Sequence, residues 1–592
     1  MIPMGFEDFC YAYFGRLGRA LYKMSPGIDY DMEAACMQIH PHVYLSMIAF
    51  ALIVSAAASY GALFTLLWLV GALSGQVIIN PIVYIIFSLP PLAVLLVGLS
   101  LPKISASNRI SGLRAEIPYA SMYISIMARG GLSPYAGLLR LRRTDLLPKL
   151  RDEIKRIQRI VLATGTDPVS AMEKAAKVIN IKDYKDLLLG YASTLRTGGD
   201  VIHYLYSQTD MMFRKMASRI RAMGEHLGSL LEAYIIIGIL GALGLYMMFI
   251  ISLSLPQAAG GGLSQESFFL FSFVMLPLIS FAFMYIGDTM QVNYPVSNWK
   301  PYMALLASVP IGFFLAAQMA IPFFADTPLF ILPALRDLVI LIRQMLDFPE
   351  GSEASIGLAI SLVAVALPVA IIDQHYTNEE KGILQGITSF FRDLVESRKT
   401  GLSPEKCITI LSRRDYGRFS KHLRLISSEI SWGLPLQKVF EDFKRKVKNW
   451  LALMNIYLLV DTLSVGGGSE ETLETLAEFS ESMRLIEQER KSVLAPLVII
   501  PYIGALLLTA TTTMFIMFFK DITSIAGATI PYITLNKTLL TPLIFHSFIF
   551  GLTAGKLATG KASSGFKTAL FLTIASIAGI WLTMRFPLLK VG

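Results

Sequence analysis

Apolar residues in this chain gather into long runs, set apart by two extended polar stretches. A helix that crosses a membrane needs roughly 20 mostly apolar residues. Nine runs qualify, near 43–71, 82–101, 231–254, 268–287, 302–324, 355–372, 495–518, 538–555 and 568–586. They fall into groups of two, four and three, with the polar stretches 102–228 and 374–493 between the groups. The second run holds Pro90-Pro91 and is expected to kink. Two other apolar tracts read differently. Residues 450–460 are too short to span and stop at Asp461, so they predict the central helix of a soluble bundle. Residues 328–348 carry Arg336, Asp337, Arg343 and Asp347, which predicts an amphipathic helix on the membrane surface or closing a vestibule. A re-entrant hairpin is the weaker alternative for that tract.

The two polar stretches repeat one pattern. Gly131-Leu-Ser-Pro134 is followed by Gly165 and then by Thr194-Leu-Arg-Thr-Gly198-Gly199. Gly401-Leu-Ser-Pro404 is followed by Gly433 and then by Thr462-Leu-Ser-Val-Gly466-Gly467. The steps between glycines are 34 and 33 residues in the first copy, 32 and 33 in the second. Matching punctuation implies matching helix lengths. Ser133-Pro134, Ser403-Pro404 and Asp167-Pro168 each place an N-cap before an N1 proline. Residues 119–127 and 383–394 show apolar positions at helical spacing, and strand signals are weak throughout.

The expected fold is therefore all-α: a polytopic membrane protein with about nine transmembrane helices and two homologous cytoplasmic helical-bundle domains. Residues 1–42 form an N-terminal cytoplasmic amphipathic segment and 43–101 spans one and two. Residues 102–228 form the first bundle and 229–373 spans three to six, with the external amphipathic helix near 328–348. Residues 374–493 form the second bundle and 494–592 spans seven to nine. Within the first segment, Phe6, Phe9, Tyr13, Leu17 and Leu21 recur at helical spacing, with Arg16, Arg19 and Lys23 between them. A helix on the inner leaflet and a helix packed on the protein itself both fit.

Composition agrees with a membrane protein. Of 592 residues 54% are hydrophobic and only 16% charged, with a net charge of +9. Lys and Arg near the span ends place the N-terminus and both bundles inside and, with nine spans, the C-terminus outside. No cleavable leader is read at the N-terminus, and the first span is expected to serve as its own insertion signal. Cys10, Cys36 and Cys407 are too few and too scattered for a disulfide framework or a metal site.

Little in the sequence suggests catalysis. Gly555 to Ala562 follows the phosphate-loop pattern up to Lys561, then offers Ala562 where magnesium needs a hydroxyl, and it follows a span rather than a strand. A basic turn is the better reading. No metalloprotease motif, nucleophile elbow or Cys-x-x-Cys occurs. His546 is the one histidine deep in a span, and a bond to a neighbouring helix is its expected role. Glu232 and Asp288 sit at span ends. Span interiors nearly free of charge weigh against an ion-coupled transporter.

The remaining chemistry is positive charge on the bundles. Residues 102–228 hold 21 basic and 11 acidic residues. Arg140, Arg142, Arg143, Lys149, Arg151, Lys155, Arg156 and Arg159 crowd together there. In the second bundle Arg413, Arg414, Arg418, Lys421 and Arg424 form one cluster, and Lys438, Lys444, Arg445, Lys446 and Lys448 another. Spacing of three and four would put Arg414, Arg418 and Lys421 on one helix face. A solvated face attracted to anionic lipid and a docking surface for an acidic partner are both consistent with these clusters. Nucleic acid is disfavoured, because no aromatic platform is interleaved.

With these motifs the chain resembles the type II secretion F family, the membrane platforms of secretion systems and type IV pili. The resemblance rests on Glu116-Ile-Pro-Tyr-Ala through Pro134, on Gly165-Thr-Asp-Pro168 and Thr194 to Gly199, and on their counterparts Gly401 to Pro404 and Thr462 to Gly467. The two-four-three span layout resembles the archaeal branch, the platform of archaella and archaeal pili. That resemblance implies a protein that is not an enzyme and needs no cofactor. Its implied partners are a cytoplasmic hexameric secretion ATPase, pilin- or archaellin-like subunits and membrane lipids. A one-chain pseudo-dimer and a homodimer both stay open. The rival readings are a transporter or channel, which needs a polar midplane site, and a membrane-embedded enzyme, which needs a catalytic constellation.

Overall fold

The computed structural model describes residues 5–35, 37, 39–74, 81–179, 181–254, 264–291, 298–325, 331–466, 468–526 and 532–585. The described residues are helical or connecting, with no strand among them. Among the described residues nine helices are long and apolar enough to cross a membrane, matching the nine runs read from the sequence. The chain forms two compact units, 1–117 and 118–592.

In the first unit, α1 (Phe6–Met24) and α2 (Ile28–Ala34) precede the long span helix α3 (Pro41–Ser74). Helix α1 runs back along α3: Tyr22 meets the His42 ring at a tilt at 4.5 Å, Gly18 sits on Ser46 and Phe14 meets Phe50 at 5.3 Å. One face of α1 thus packs on the protein, burying Cys10, while Phe6, Tyr13 and Leu17 stay exposed. Helix α4 (Pro81–Arg129) continues through Pro90-Pro91, and its last turns belong to the second unit. Tyr44 donates to the Gly98 carbonyl at 2.8 Å, tying α3 to α4.

The first bundle comprises the end of α4, then α5 (Pro134–Leu141), α6 (Pro148–Thr164), α7 (Pro168–Val178), α8 (Lys182–Arg196) and α9 (Val201–Ile235). A π turn leads from α9 into α10 (Gly241–Ser254). The spans go on through α11 (Gln265–Leu270), α12 (Leu276–Met290), α13 (Lys300–Met319) and the short α14 (Ile321–Phe324). Helix α15 (Pro333–Met345) occupies the amphipathic tract, and the span α16 (Glu353–Glu380) follows.

The second bundle repeats the first, helix for helix. It has α17 (Ile383–Arg398), α18 (Pro404–Leu411), α19 (Phe419–Ser431), α20 (Leu436–Lys446), α21 (Trp450–Ser464) and α22 (Glu470–Leu494). The last spans are α23 (Ile499–Ala526), α24 (Tyr532–Thr559) and α25 (Ala562–Arg585).

The repeat read in the sequence is a repeat of backbone geometry. Gly131, Gly165 and Gly198 have positive φ, and so do Gly401, Gly433 and Gly466. Each ends a helix in the left-handed conformation that side chains resist. Ser133 caps α5 by accepting from the Ala136 N–H, and Ser403 caps α18 through Lys406. Gly467 lies outside the described residues, as does Cys36.

Among the spans α24 is the most enclosed. Small residues let α25 approach it: a Cβ on Gly551 would lie 2.3 Å from the Ala569 Cα, and one on Gly555 2.5 Å from the Gly565 Cα. Backbones that close are the usual outcome of small residues four apart in membrane helices. Gly555 therefore sits inside α24 as a packing residue, which removes the phosphate-loop reading. His546 is held as expected, with Nδ1 3.0 Å from the Tyr246 hydroxyl and Nε2 2.8 Å from the Ser272 carbonyl. Both ring nitrogens are engaged, so the histidine knits three helices together. Asp288 and Lys556 pair at the bundle-side end of α12 and α24.

Candidate functional site: the junction of the two bundles

Helix α21 is buried nearly all round. Twelve of its fifteen residues are enclosed, from Trp450 to Thr462. One side packs on its own bundle and the other reaches the first. The Trp450 indole N–H donates to the Leu146 carbonyl at 2.9 Å, and its ring meets Tyr119 edge-on at 4.6 Å. Two turns further on, Tyr457 stacks near Tyr123. One turn beyond that stands Asp461, its side chain 9% exposed.

A carboxylate so enclosed needs partners, and Asp461 takes them from the first bundle. Arg140 places Nη2 2.6 Å from Oδ1 and Nε 3.3 Å from Oδ2. The Tyr123 hydroxyl donates to Oδ2. Arg140 Nη2 also donates to the Ser464 hydroxyl at 2.9 Å, which fixes the C-terminal end of α21. Burial first, then the Asp461 charge, holds the Tyr123 phenol far above its ordinary value, so it stays a donor. The same two causes raise Tyr457. The hydrogen bond to Asp461 raises the Arg140 guanidinium, which stays charged.

The junction continues along α9 and α22. Arg129 Nη1 donates to the Thr475 hydroxyl at 2.6 Å, and Tyr206 donates to Glu478 at 3.0 Å. Phe213 and Phe479 stack at 6.0 Å. Nearer the spans, Arg221 pairs with Glu489 at 2.7 Å. A Cβ on Gly224 would meet Val493 at 1.9 Å, so the two long helices cross in close contact. Lys444 reaches Asp145 at 3.4 Å on the far side.

The contact is made once, although the repeat offers it twice. The α8 positions matching Trp450, Tyr457 and Asp461 are Lys182, Leu189 and Ser193, of which Lys182 and Ser193 are exposed. The second bundle's match to Arg140 is Ile410, also exposed. There Asp393 turns inward and pairs with Arg414 at 2.9 Å and with the Tyr416 hydroxyl at 2.7 Å. The two bundles are thus alike in backbone and unlike in the faces they offer each other.

The sequence-selected cations separate into two sets. Arg140 belongs to the junction. Arg156 neutralises the buried Glu153 at 2.7 Å, Arg151 pairs with Asp145 at 2.7 Å and Lys155 with Asp152 at 3.1 Å. Arg142 and Arg143 are exposed in the turn after α5, Arg142 beside Gln158. Arg413 and Arg414 occupy the matching turn after α18, and Arg418, Lys421 and Arg424 are exposed next to it. Arg414, Arg418 and Lys421 do not share a helix face. Arg414 lies in the turn, Gly417 interrupts the chain at φ +61°, and Arg418 caps α19, which starts at Phe419. The spacing argument failed there because it carried a helix through a glycine turn.

Sequence reasoning passed over Asp461, which had served only to mark the end of an apolar tract. A lone carboxylate on an otherwise apolar soluble helix was the available signal. Arg142-Arg143 and Arg413-Arg414 fall in corresponding turns, one position out of register, and that pairing of turns was also legible.

Residues 120–249 and 390–517 each match the family model of the type II secretion system (T2SS), protein F. The chain carries the T2SS protein F domain twice. The matched segments are the two bundles, each with the long exit helix that runs on into the spans. Over 495 residues the chain is 18% identical to an uncharacterized protein of Methanocaldococcus jannaschii, covering 81% of each. No solved structure gives a significant match. The paired domain supports a platform role of the type II secretion or type IV pilus-like kind. Members of that family are generally not enzymes, and no cluster of metal-binding side chains occurs among the described residues.

Proposed function

We propose that this protein is the membrane platform of an archaellum- or archaeal-pilus-like assembly machine. In this reading a hexameric secretion ATPase docks on the exposed arginine turns of the two bundles. Its nucleotide-driven motion passes through α9 and α22 into the spans, which hand pilin-like subunits to the growing filament. The N-terminus and both bundles lie in the cytoplasm and the C-terminus outside.

The observation that carries this reading is the jointed pair of bundles on helices that run into the membrane. A force applied to either bundle is shared through Arg140 and Asp461 and through the α9–α22 contact. That is what a lever requires, and it needs no catalytic group of its own. Arg142-Arg143 and Arg413 with Arg418 and Lys421 offer dense, exposed positive charge for an acidic surface.

The test is binding of the cognate secretion ATPase to the detergent-purified protein. Wild type is compared with Arg142→Glu/Arg143→Glu and with Arg413→Glu/Arg418→Glu/Lys421→Glu. Salt-sensitive binding that falls in the reversed proteins, with helicity unchanged, supports the dock. Equal binding by all three sinks it. Substrate flux in liposomes without the ATPase would favour the transporter reading instead.

A further inference from the structure

Helix α15 is fixed in place yet leaves part of its apolar surface uncovered. It joins α13–α14 to α16 at the end of the span array opposite the bundles, since α16 leads from α15 to the second bundle. Its entry is held by Gln318, whose Oε1 accepts from the backbone N–H of Ile331 and Leu332 at 2.7 and 3.3 Å. Its exit is held by the Trp581 indole, which donates to the Leu346 carbonyl at 2.8 Å, and by Arg343, 3.0 Å from Glu353. Asn536 of α24 donates to the Glu350 carbonyl at 2.9 Å just beyond.

The helix has three sides. Val339 is fully buried against the protein, with Leu335, Ile342 and Arg343 partly covered beside it. Asp337 and Gln344 are exposed about a third of a turn or more away. Between that polar edge and the buried edge lie Leu338, Leu341 and Met345, exposed by 43%, 57% and 81%. These three follow the helical repeat of three and four and form one strip. None of the described residues covers it, and both its ends are pinned, so a rotation that buried it would break the contacts at Gln318, Trp581 and Arg343.

We infer that α15 lies in the headgroup boundary of the membrane leaflet opposite the bundles, with Leu338, Leu341 and Met345 inserted among acyl chains. The height follows from connectivity. The chain enters α15 from one membrane span and leaves it into another, so the helix cannot stand far from the bilayer edge. Trp581 sits at the same level with Arg585 over its ring at 5.3 Å, the pairing expected of an interfacial anchor. An apolar strip with a polar strip above it is the arrangement that holds a helix in that plane. The occupant is lipid, where a vestibule-closing helix would turn the same strip to water.

The test uses full-length protein in nanodiscs. Leu341→Cys, Met345→Cys, Asp337→Cys and Gln344→Cys are made singly after replacing the native cysteines and labelled with an environment-sensitive fluorophore. The expected result is blue-shifted emission at 341 and 345, quenched by a nitroxide on the upper acyl chain and spared by aqueous iodide. Positions 337 and 344 should show the reverse. Because cysteine replacement could unsettle the fold, Met345→Trp in the otherwise native protein supplies a second reading: brominated lipid should quench more of its emission than of wild type. Quenching of 341 and 345 by iodide would mean a water-filled vestibule, and protection from both quenchers would mean a protein occupant. Either result overturns the inference.

Discussion

Arg140 and Asp461 belong to different bundles, 321 residues apart in the chain, and meet through two hydrogen bonds of 2.6 and 3.3 Å. Asp461 is enclosed, so its pairing is not the weak ion pair of an open surface. Removing Asp461 takes the acceptor from the buried Tyr123 hydroxyl and the counter-charge from Arg140. We expect Asp461→Ala to cost about 3–5 kcal/mol, the range for breaking a buried pair. Arg140→Ala should cost less, because Tyr123 and Ser464 still serve the carboxylate and the arginine is 28% exposed. In a double-mutant cycle read by thermal unfolding, the two changes should be strongly non-additive. Additive losses would mean that the pair is incidental.

The left-handed glycines give a cleaner test of backbone cost. A Cβ at Gly131 or Gly401 would meet nothing within 4 Å, so substitution there is limited by φ alone. Gly131→Ala and Gly401→Ala should each destabilise by about 1–2 kcal/mol. Asn at either position should recover part of the loss, since it tolerates this conformation better. Equal losses for Ala and Asn in chemical denaturation would contradict the account.

Gly551 tests packing instead of conformation. Its neighbour across the crossing is backbone, which cannot swing aside, so even Gly551→Ala should loosen α24 from α25. The expected readout is a lower melting temperature in detergent, with a larger drop for Gly551→Val. A neutral Val would show that the helices do not approach this closely.

His422 makes the second bundle sensitive to mild acid. Burial, with Lys421 and Lys446 adding to it, holds its imidazole below the ordinary value of 6.5. The folded protein therefore resists a proton that the unfolded chain accepts. Stability from this site is complete above pH 6.5 and declines as pH falls from there to the depressed folded value. His422→Phe, which keeps the ring against Phe443, should flatten that slope in melting temperature measured against pH. An unchanged slope would assign the acid sensitivity elsewhere.

Much of the architecture was legible because it depends on local signals. Span length, N-cap serines before prolines and glycines at fixed steps determine helix ends without reference to distant residues. The junction was not legible, because it depends on which faces of two similar bundles meet. Tyr123, Arg140 and Trp450 look like ordinary core or surface positions until the fold brings them together. The error over Arg414, Arg418 and Lys421 has the same root, since periodicity was extended across a turn marked by Gly417. His546 came out as the ordinary reading predicted, a packed and fully bonded histidine.

In the proposed function the two bundles dock the ATPase as one body. The most direct test is the affinity of the cognate ATPase hexamer for wild type, for Asp461→Ala and for Arg142→Glu/Arg143→Glu. Two linked sites bind more tightly than either alone, and the gain is lost when the link fails. Loosening the junction at Asp461, far from the exposed arginines, should weaken binding as reversing the first arginine turn does. Wild-type affinity in Asp461→Ala, with the junction shown to be loosened by faster proteolysis between the bundles, would contradict it.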